Sequence, residues 1–422
     1  MGNDDTYPPP HDPAPGSDGE PGWQLTLYAT WIAQLVSMMG FSFVMPFFPF
    51  YIQQELGITD PRLVPIWSGM VAMAGGVTMT AAAPLWGLVA DRYGRQPMVQ
   101  RAMFAGAVIM GLMGLVHNVG QLLILRLLQG AFTGTISASV ALVSSVAPKR
   151  RLGYSLGLMQ MAVFTGASVG PWLGGATADR FGYRVPFAVA AGLLFAGGLL
   201  VLFGARERFT RPAAHQPGSG QSLRSLLRLP GVMTLLLVYL MLNLSSTIVG
   251  PIFPLFVERL MGTSRGAAST TGMLLAVGGA MAALGAVIVG RSSDRLGHRR
   301  VLLLAAACAG LFCLPQAAAR TIAQLLVLRV LFGFAAGGMS PSVNALVANV
   351  CPRDCLGRIY GMTASATSIG LTIGPGIGGW LAAAAGLRLP FVVMGALLLL
   401  LALTIALRVP RESAGQRETN VA

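Results

Sequence analysis

The sequence predicts an all-α integral membrane protein: twelve transmembrane helices in two pseudo-symmetric six-helix bundles. Three observations predict it: an apolar composition, an unbroken succession of span-length stretches, and a motif written twice about two hundred residues apart. Hydrophobic residues are 54% of the chain and charged residues 10%, against about 25% charged in an ordinary soluble domain. Mean hydropathy is +0.67. A helix needs roughly 20 apolar residues to cross a bilayer. Such stretches run at about 24–51, 65–88, 98–117, 120–145, 154–177 and 186–205, then 231–257, 267–289, 300–318, 322–349, 358–382 and 387–407. The alternating pattern of a membrane β-barrel is absent from them.

The net charge of +14 does not point to nucleic acid, because the bases alternate by loop instead of clustering on one module. Twenty of the 29 Lys and Arg residues fall in loops on the side of the termini, seven fall on the other side, and Arg126 and Arg329 lie inside helices. By the positive-inside rule both termini are expected in the cytoplasm. Residues 1–22 hold five acids and no base. They read as a disordered cytoplasmic tail and not as a secretory signal. The bundles are then 23–205 and 230–409, joined by a cytoplasmic linker at 206–229 and followed by a tail at 410–422. Cys308 and Cys313 fall within a span, and Cys351 and Cys355 in a cytoplasmic turn. Neither a disulfide framework nor a metal site is expected.

The repeat is extensive. Gly87-Leu-Val-Ala-Asp91-Arg92-Tyr-Gly94-Arg95 is answered by Gly290-Arg-Ser-Ser-Asp294-Arg295-Leu-Gly297-His298. Pro46 and Pro49 are answered by Pro251 and Pro254, and Arg126 and Gly130 by Arg329 and Gly333. Gly166, Gly170-Pro171 and Gly174-Gly175 are answered by Gly370, Gly374-Pro375 and Gly378-Gly379, all at offsets of 203 to 205 residues. Parallel repeats of this kind place a substrate site near the bilayer midplane between the halves, and rocking of the halves exposes it to each side in turn.

These motifs resemble those of the major facilitator superfamily. The hinge Gly87-x-x-x-Asp91-Arg92-x-Gly94-Arg95 is similar to its signature between the second and third helices. Gly166-x-x-x-Gly170-Pro171-x-x-Gly174-Gly175 and Arg126-Leu-Leu-Gln129-Gly130 resemble the fifth- and fourth-helix motifs of its drug:proton antiporters. The resemblance covers about residues 23–409 and extends to the twelve-helix bacterial multidrug efflux proteins. It implies a monomeric, multi-pass protein of the bacterial plasma (inner) membrane that exports small amphipathic molecules in exchange for protons. No cofactor is expected beyond the proton gradient; the partners are a small-molecule substrate, protons and the lipid bilayer.

The residues suit that work. Gly166, Gly170 and Gly174 make one bare helical ridge that lets a neighbour approach closely. Pro171 cannot donate to the Ala167 carbonyl and favours a kink. The resemblance implies that this ridge lies at the seam between halves and seals the cytoplasmic side. Asp91 ends the second helix, where a carboxylate can accept from the free N–H groups that begin another helix. The resemblance makes that helix the eleventh, near Gly357; by symmetry Asp294 would face the fifth, near Gly153. Arg92, Arg95 and Arg101 serve either such latches or simple membrane anchoring. Arg126 is costly in hydrocarbon, at least ~2.5 kcal/mol by insertion scales. It is expected to face a cavity or a partner, with Gln129 on the same helical face. The resemblance gives it a part in proton handling.

The predicted span interiors contain these two arginines and no acid. Permanently cationic compounds are therefore expected to be poorer substrates than neutral, zwitterionic or anionic ones. The titrating carboxylate must lie at a helix end: Asp91 and Asp179 first, then Glu55 and Glu258. The expected cavity lining is Gln34, Phe41, Met45, Gln129, Gln160, Asn243, Ser246, Arg329 and Asn344. No nucleophile–base pair or phosphate loop is present, so an enzyme is not expected. The rival within transport is an exporter of one metabolite, such as a sugar, siderophore or amino-acid derivative; the glycine-proline block argues against an importer.

Overall fold

The computed structural model describes residues 22–207, 231–350 and 356–409. The tails and most of the linker, residues 208–230, lie outside the described residues, as do Cys351 and Cys355 and the Asp294 side chain. Eleven helical segments among the described residues are long and apolar enough to cross a membrane. The third helix, Gln96–Met113, has 18 residues, and Gln96, Gln100 and Arg101 dilute its first turns. With it in place the chain reads as twelve spans. They are Trp23–Gln54, Leu63–Tyr93, Gln96–Met113, Val119–Val146, Leu152–Phe181 and Val185–Gly204, then Val232–Met261, Ala267–Leu296, His298–Ala318, a tenth from Ile322, Leu356–Ala385 and Leu389–Arg408.

Four spans are broken where continuous helices were expected. The first stops at Val44 and resumes at Phe48 after a 3₁₀ turn around Pro46. The seventh stops at Ile248 and resumes at Phe253, past Pro251. The fourth divides between Phe132 and Thr135, where Gly134 takes φ 138°. The tenth divides at Gly338, between Gly337 and Met339. Proline removes a helical donor and Gly134 takes the positive φ its turn requires, while Gly338 has an ordinary φ of −74° and lets the Val289 side chain approach. The fifth and eleventh helices, by contrast, run on through Pro171 and Pro375.

The repeat in sequence is a repeat in packing. A Cβ on Gly166 would lie 2.7 Å from the Met38 Cβ, and one on Gly370 would lie 3.0 Å from the Asn243 Cβ. Gly130 abuts the Gly75 carbonyl as Gly333 abuts that of Gly278. The fourth and tenth helices open on matching reciprocal caps. Gln121 N donates to Asn118 Oδ1 at 2.9 Å while His117 N donates to Gln121 Oε1 at 2.9 Å. Gln324 N donates to Thr321 Oγ1 at 3.2 Å while Arg320 N donates to Gln324 Oε1 at 3.0 Å. Two orphan donors are satisfied at each start, which anchors the helices that carry Arg126 and Arg329.

The glycine ridges lie elsewhere than expected. Gly166, Gly170 and Gly174 pack on Leu35, Met38, Met39, Ser42 and Phe43 of the first span, within their own half. Gly370, Gly374 and Gly378 pack likewise on the seventh span. The seam is made by the adjacent helical face: Pro171 and Gly175 in the fifth helix, Pro375 and Gly379 in the eleventh. Gly175 abuts the Ala268 carbonyl, Gly272 the Pro171 carbonyl and Gly379 the Pro65 carbonyl. Every one of these contacts is in the part of the bundle remote from the termini.

Candidate transport site

The seam is closed at one end only. From the loops remote from the termini, contact between the halves runs to the middle of the spans. A Cβ on Gly76 would lie 2.6 Å from Thr372 Oγ1, and one on Gly279 would lie 2.7 Å from Ser168 Oγ. A hydrophobic cluster bridges the halves at this far end, joining Phe43, Phe50 and Val64 to Ile252, Leu255, Ala268 and Ala382. On the termini side a Cβ on Gly87, Gly153, Gly157 or Gly361 would meet nothing within 4 Å. Leu85, Leu88 and Tyr154 are exposed there. The halves thus enclose a cleft that opens toward the termini and ends at mid-span.

One polar latch crosses the closed end. Asp179, at the end of the fifth helix, accepts a hydrogen bond from Ser269 N at 2.7 Å and another from Ser269 Oγ. Ser269 lies in the first turn of the eighth helix, whose free N–H groups favour an anion. Beside it the buried Tyr183 phenol has its pKa pushed up, by burial first and then by the negative charges of Asp179 and Glu258. It therefore remains a neutral hydroxyl next to the latch. Asp91 is exposed and makes no hydrogen bond or ion pair among the described residues. Its expected contact with the start of the eleventh helix is not formed here, and the Asp294 side chain is outside the described residues. Arg92 is exposed, 5.4 Å above the ring of its neighbour Tyr93.

At the hinge the backbone is engaged instead of the side chain. Glu207 Oε2 accepts from Arg95 N at 2.7 Å and Gln96 N at 2.8 Å, capping the third helix. In the other half Arg299 donates to the carbonyls of Val409 and Ala406 at 2.8 and 2.7 Å. Each sixth helix is thus tied to the start of its third.

Arg126 points into its own bundle. Only 5% exposed, it donates from Nε to the Val71 carbonyl at 3.0 Å and from Nη1 to Gln129 Oε1. Its guanidinium lies 5.1 Å from the centre of the Phe48 ring. Arg329 stacks 4.0 Å from the Phe253 ring, and Phe332 takes the place corresponding to Gln129. Its Nε is buried without an acceptor among the described residues. Both cations lie against protein: Arg126 is buried and Arg329 is half-buried.

The expected lining divides accordingly. Gln129 is buried against Arg126. Gln34 is fully buried, with neither end of its amide partnered. Phe41 turns toward Gly106 of the third helix. These three face the N-half interior, where the start of the fourth span packs on the second and third helices. Met45, Gln160, Ser246 and Asn344 are exposed and Asn243 is half-buried. Ser269, Tyr183 and Glu207 were not singled out by the sequence reading. Glu207 alone carried a signal, as the one acid among the linker's five arginines.

Comparison with known proteins agrees. A family model described as Major Facilitator Superfamily matches residues 30–314 and 235–421. The chain belongs to that superfamily. "Multidrug resistance protein MdtG" of Klebsiella pneumoniae (strain 342) is 34% identical over 397 residues, covering 93% of this chain and 96% of that protein. Its Yersinia enterocolitica counterpart is 32% identical, covering 90% and 92%. Among solved structures, a bacterial homologue of the human lysosomal transporter Spinster, in an inward-facing and occupied conformation, aligns with TM-score 0.77 at 15% identity. It covers 92% of this chain and 97% of that one. The human organic anion transporter MFSD10 aligns with TM-score 0.65 at 18% identity, covering 92% and 100%. The superfamily fold makes this chain a membrane transporter, and its relatives are transporters and not enzymes.

Proposed function

We propose that the protein exports small amphipathic compounds, drugs among them, by proton-coupled antiport with alternating access. The observation that carries this is the one-ended seam: the same two halves are closed to mid-span at one end and parted at the other. The multidrug-resistance relatives support the substrate class, and their bacterial sources support a place in the inner membrane. The excess of basic residues on the termini side supports a cytoplasmic place for that side. The conformation described is then inward-open, with the outer gate shut.

Proton coupling acts through carboxylates at helix ends. Asp179, when charged, accepts from the start of the eighth helix and holds the outer gate closed. Asp91, when charged, is placed to do the same for the inner gate. Protonation removes the charge and weakens either latch. A proton taken up from outside at Asp179 loosens the outer gate and one released inside at Asp91 restores the inner latch, so a proton gradient biases both gates toward outward release. Tyr183, which lies within the field of both Asp179 and Glu258, supplies a neutral hydroxyl beside the latch.

Reconstitution into liposomes with an imposed pH gradient tests this. Adding a neutral or zwitterionic amphiphile is expected to trigger proton movement in the wild type. Asp179→Asn and Asp91→Asn are each expected to cut pH-driven transport at least tenfold. Retention of pH-driven transport in both variants would exclude the proposed coupling route.

A further inference from the structure

Because the halves share one packing register, each polar side chain in one has a counterpart in the other. In the C-terminal half the Tyr239 hydroxyl donates to Asn344 Oδ1, joining the seventh and tenth spans. Asn243 Nδ2 donates to the Tyr239 carbonyl at 2.8 Å and to Thr367 Oγ1 at 3.3 Å, adding the eleventh. At the repeat offsets, Tyr239 corresponds to Gln34, Asn243 to Met38, Asn344 to Val140 and Thr367 to Val163. The register is confirmed by Gly166 meeting Met38 as Gly370 meets Asn243. It is confirmed again by the matching twelve-residue helices Thr135–Val146 and Met339–Val350. Methionine and valine cannot build this network, and Gln34 is sealed inside its bundle.

The network faces the cleft. The eighth and eleventh helices meet the other half, and the seventh and tenth pack against them to form the wall between. On the tenth, Val343, Leu346 and Val347 enter the C-half core, while Asn344 is exposed. It stands on the termini side of mid-span, where the halves are parted. The Tyr239 hydroxyl holds Oδ1, which leaves the two N–H donors of Nδ2 on the exposed side.

We propose that substrate recognition is asymmetric. The C-terminal half reads the polar group of the substrate through Asn344, positioned by Tyr239 and the Asn243–Thr367 pair, and the N-terminal half carries apolar residues, Met38, Val140 and Val163, at the corresponding positions. The network contains no ionisable acid or base near neutral pH, so a formal charge placed there is uncompensated. A neutral acceptor such as an amide, ketone or hydroxyl is matched. This rests on the transport reading above and names its substrate class: neutral amphiphiles with a hydrogen-bonding head.

Calorimetric binding to the purified full chain tests it with two probes. Chloramphenicol is neutral and bears amide and hydroxyl groups; tetraphenylphosphonium is a cation that forms no conventional hydrogen bonds. Chloramphenicol is expected to bind, about tenfold more weakly to Asn344→Ala, with an unchanged melting temperature. Tyr239→Phe is expected to weaken it severalfold by releasing the amide, and Gln34→Ala to leave it unchanged. Tetraphenylphosphonium is expected to be indifferent to Asn344→Ala or not to bind at all. Absence of chloramphenicol binding, affinity within twofold for Asn344→Ala, or equal loss of both probes overturns the proposal. Selective binding without proton movement in liposomes would instead overturn the coupling mechanism and leave this recognition intact.

Discussion

The two halves repeat their backbone contacts more faithfully than their polar ones. Gly130 and Gly333 abut equivalent carbonyls, and the ridges at Gly166 and Gly370 seat on equivalent residues. Yet Arg126 is hydrogen-bonded to Gln129 and Val71, whereas Arg329 lies against the rings of Phe253 and Phe332. Asp179 latches one outer seam, whereas the position related to it by the repeat is Ala383. Close packing is what a duplicated scaffold must preserve, because a methyl group at any of these glycines would strike a backbone. Polar partners are free to diverge, and they diverge at the two arginines, at Asp179 and at the Tyr239–Asn344 network.

The arginines offer the largest effect by which to break this comparison. Arg126→Met removes bonds from a charged donor, each worth about 1.5–3 kcal/mol, and strands a buried Gln129 amide. Transport is expected to fall more than tenfold, with a lower melting temperature. Arg329→Met replaces a stacked cation by an apolar chain against the same rings, and transport is expected to stay within about threefold. Equal losses in liposome assays would show that the two sites do the same work.

The seams offer the next. Ser269→Ala removes one of the two donors to Asp179 and leaves the backbone donor. A hydrogen bond to a charged carboxylate contributes about 1.5–3 kcal/mol, at the low end for an exposed pair, so the outer gate is expected to loosen about tenfold and the pH–rate profile to move. Gly69→Ala, on the unlatched seam, would bring a Cβ to 2.6 Å from the Pro375 carbonyl oxygen. It is expected to slow transport without moving the profile. A displaced profile for Gly69→Ala and none for Ser269→Ala would reverse the roles assigned to the seams.

The scaffold was largely legible in the sequence because it rests on one-dimensional signals. Apolar length gives spans, and glycine and proline at a fixed offset give the repeat. The breaks at Pro46, Gly134, Pro251 and Gly338 were visible residue by residue but concealed by hydropathy, which averages across them. The site was less legible. Periodicity shows that Gln34 and Gln129 share helices with cavity candidates, but whether the next helix covers them is decided by packing. The same ambiguity attended the glycine ridge, because a bare face suits a neighbour in its own half as well as one across the seam. Asp179 was identifiable as a helix-end acid, but its partner Ser269, 90 residues away, bears no mark in the sequence.

The smallest effect belongs to the lone ion pair among the described residues. Arg184 Nε donates to Glu55 Oε2 at 2.8 Å, tying the sixth span of the N-terminal half to the end of the first. The positions corresponding to them in the other half are Arg388 and Leu260, so the C-terminal half lacks the carboxylate. The pair is partly open to solvent, and such pairs contribute about 0–1 kcal/mol. Glu55→Gln is expected to lower the melting temperature by no more than a degree or two. The hydrogen bond to Glu55 raises the pKa of Arg184, so the guanidinium half of the pair stays charged at every pH below the ordinary arginine value. A change of pH through neutrality therefore leaves the guanidinium charged, and salt is the better probe. The difference between wild type and Glu55→Gln should shrink as ionic strength rises from 0.05 to 0.5 M, about the range over which screening shortens below the spacing of exposed charges. A large, salt-independent loss would instead mean that this pair, and not the shared glycine packing, fixes the outer end of the N-terminal bundle.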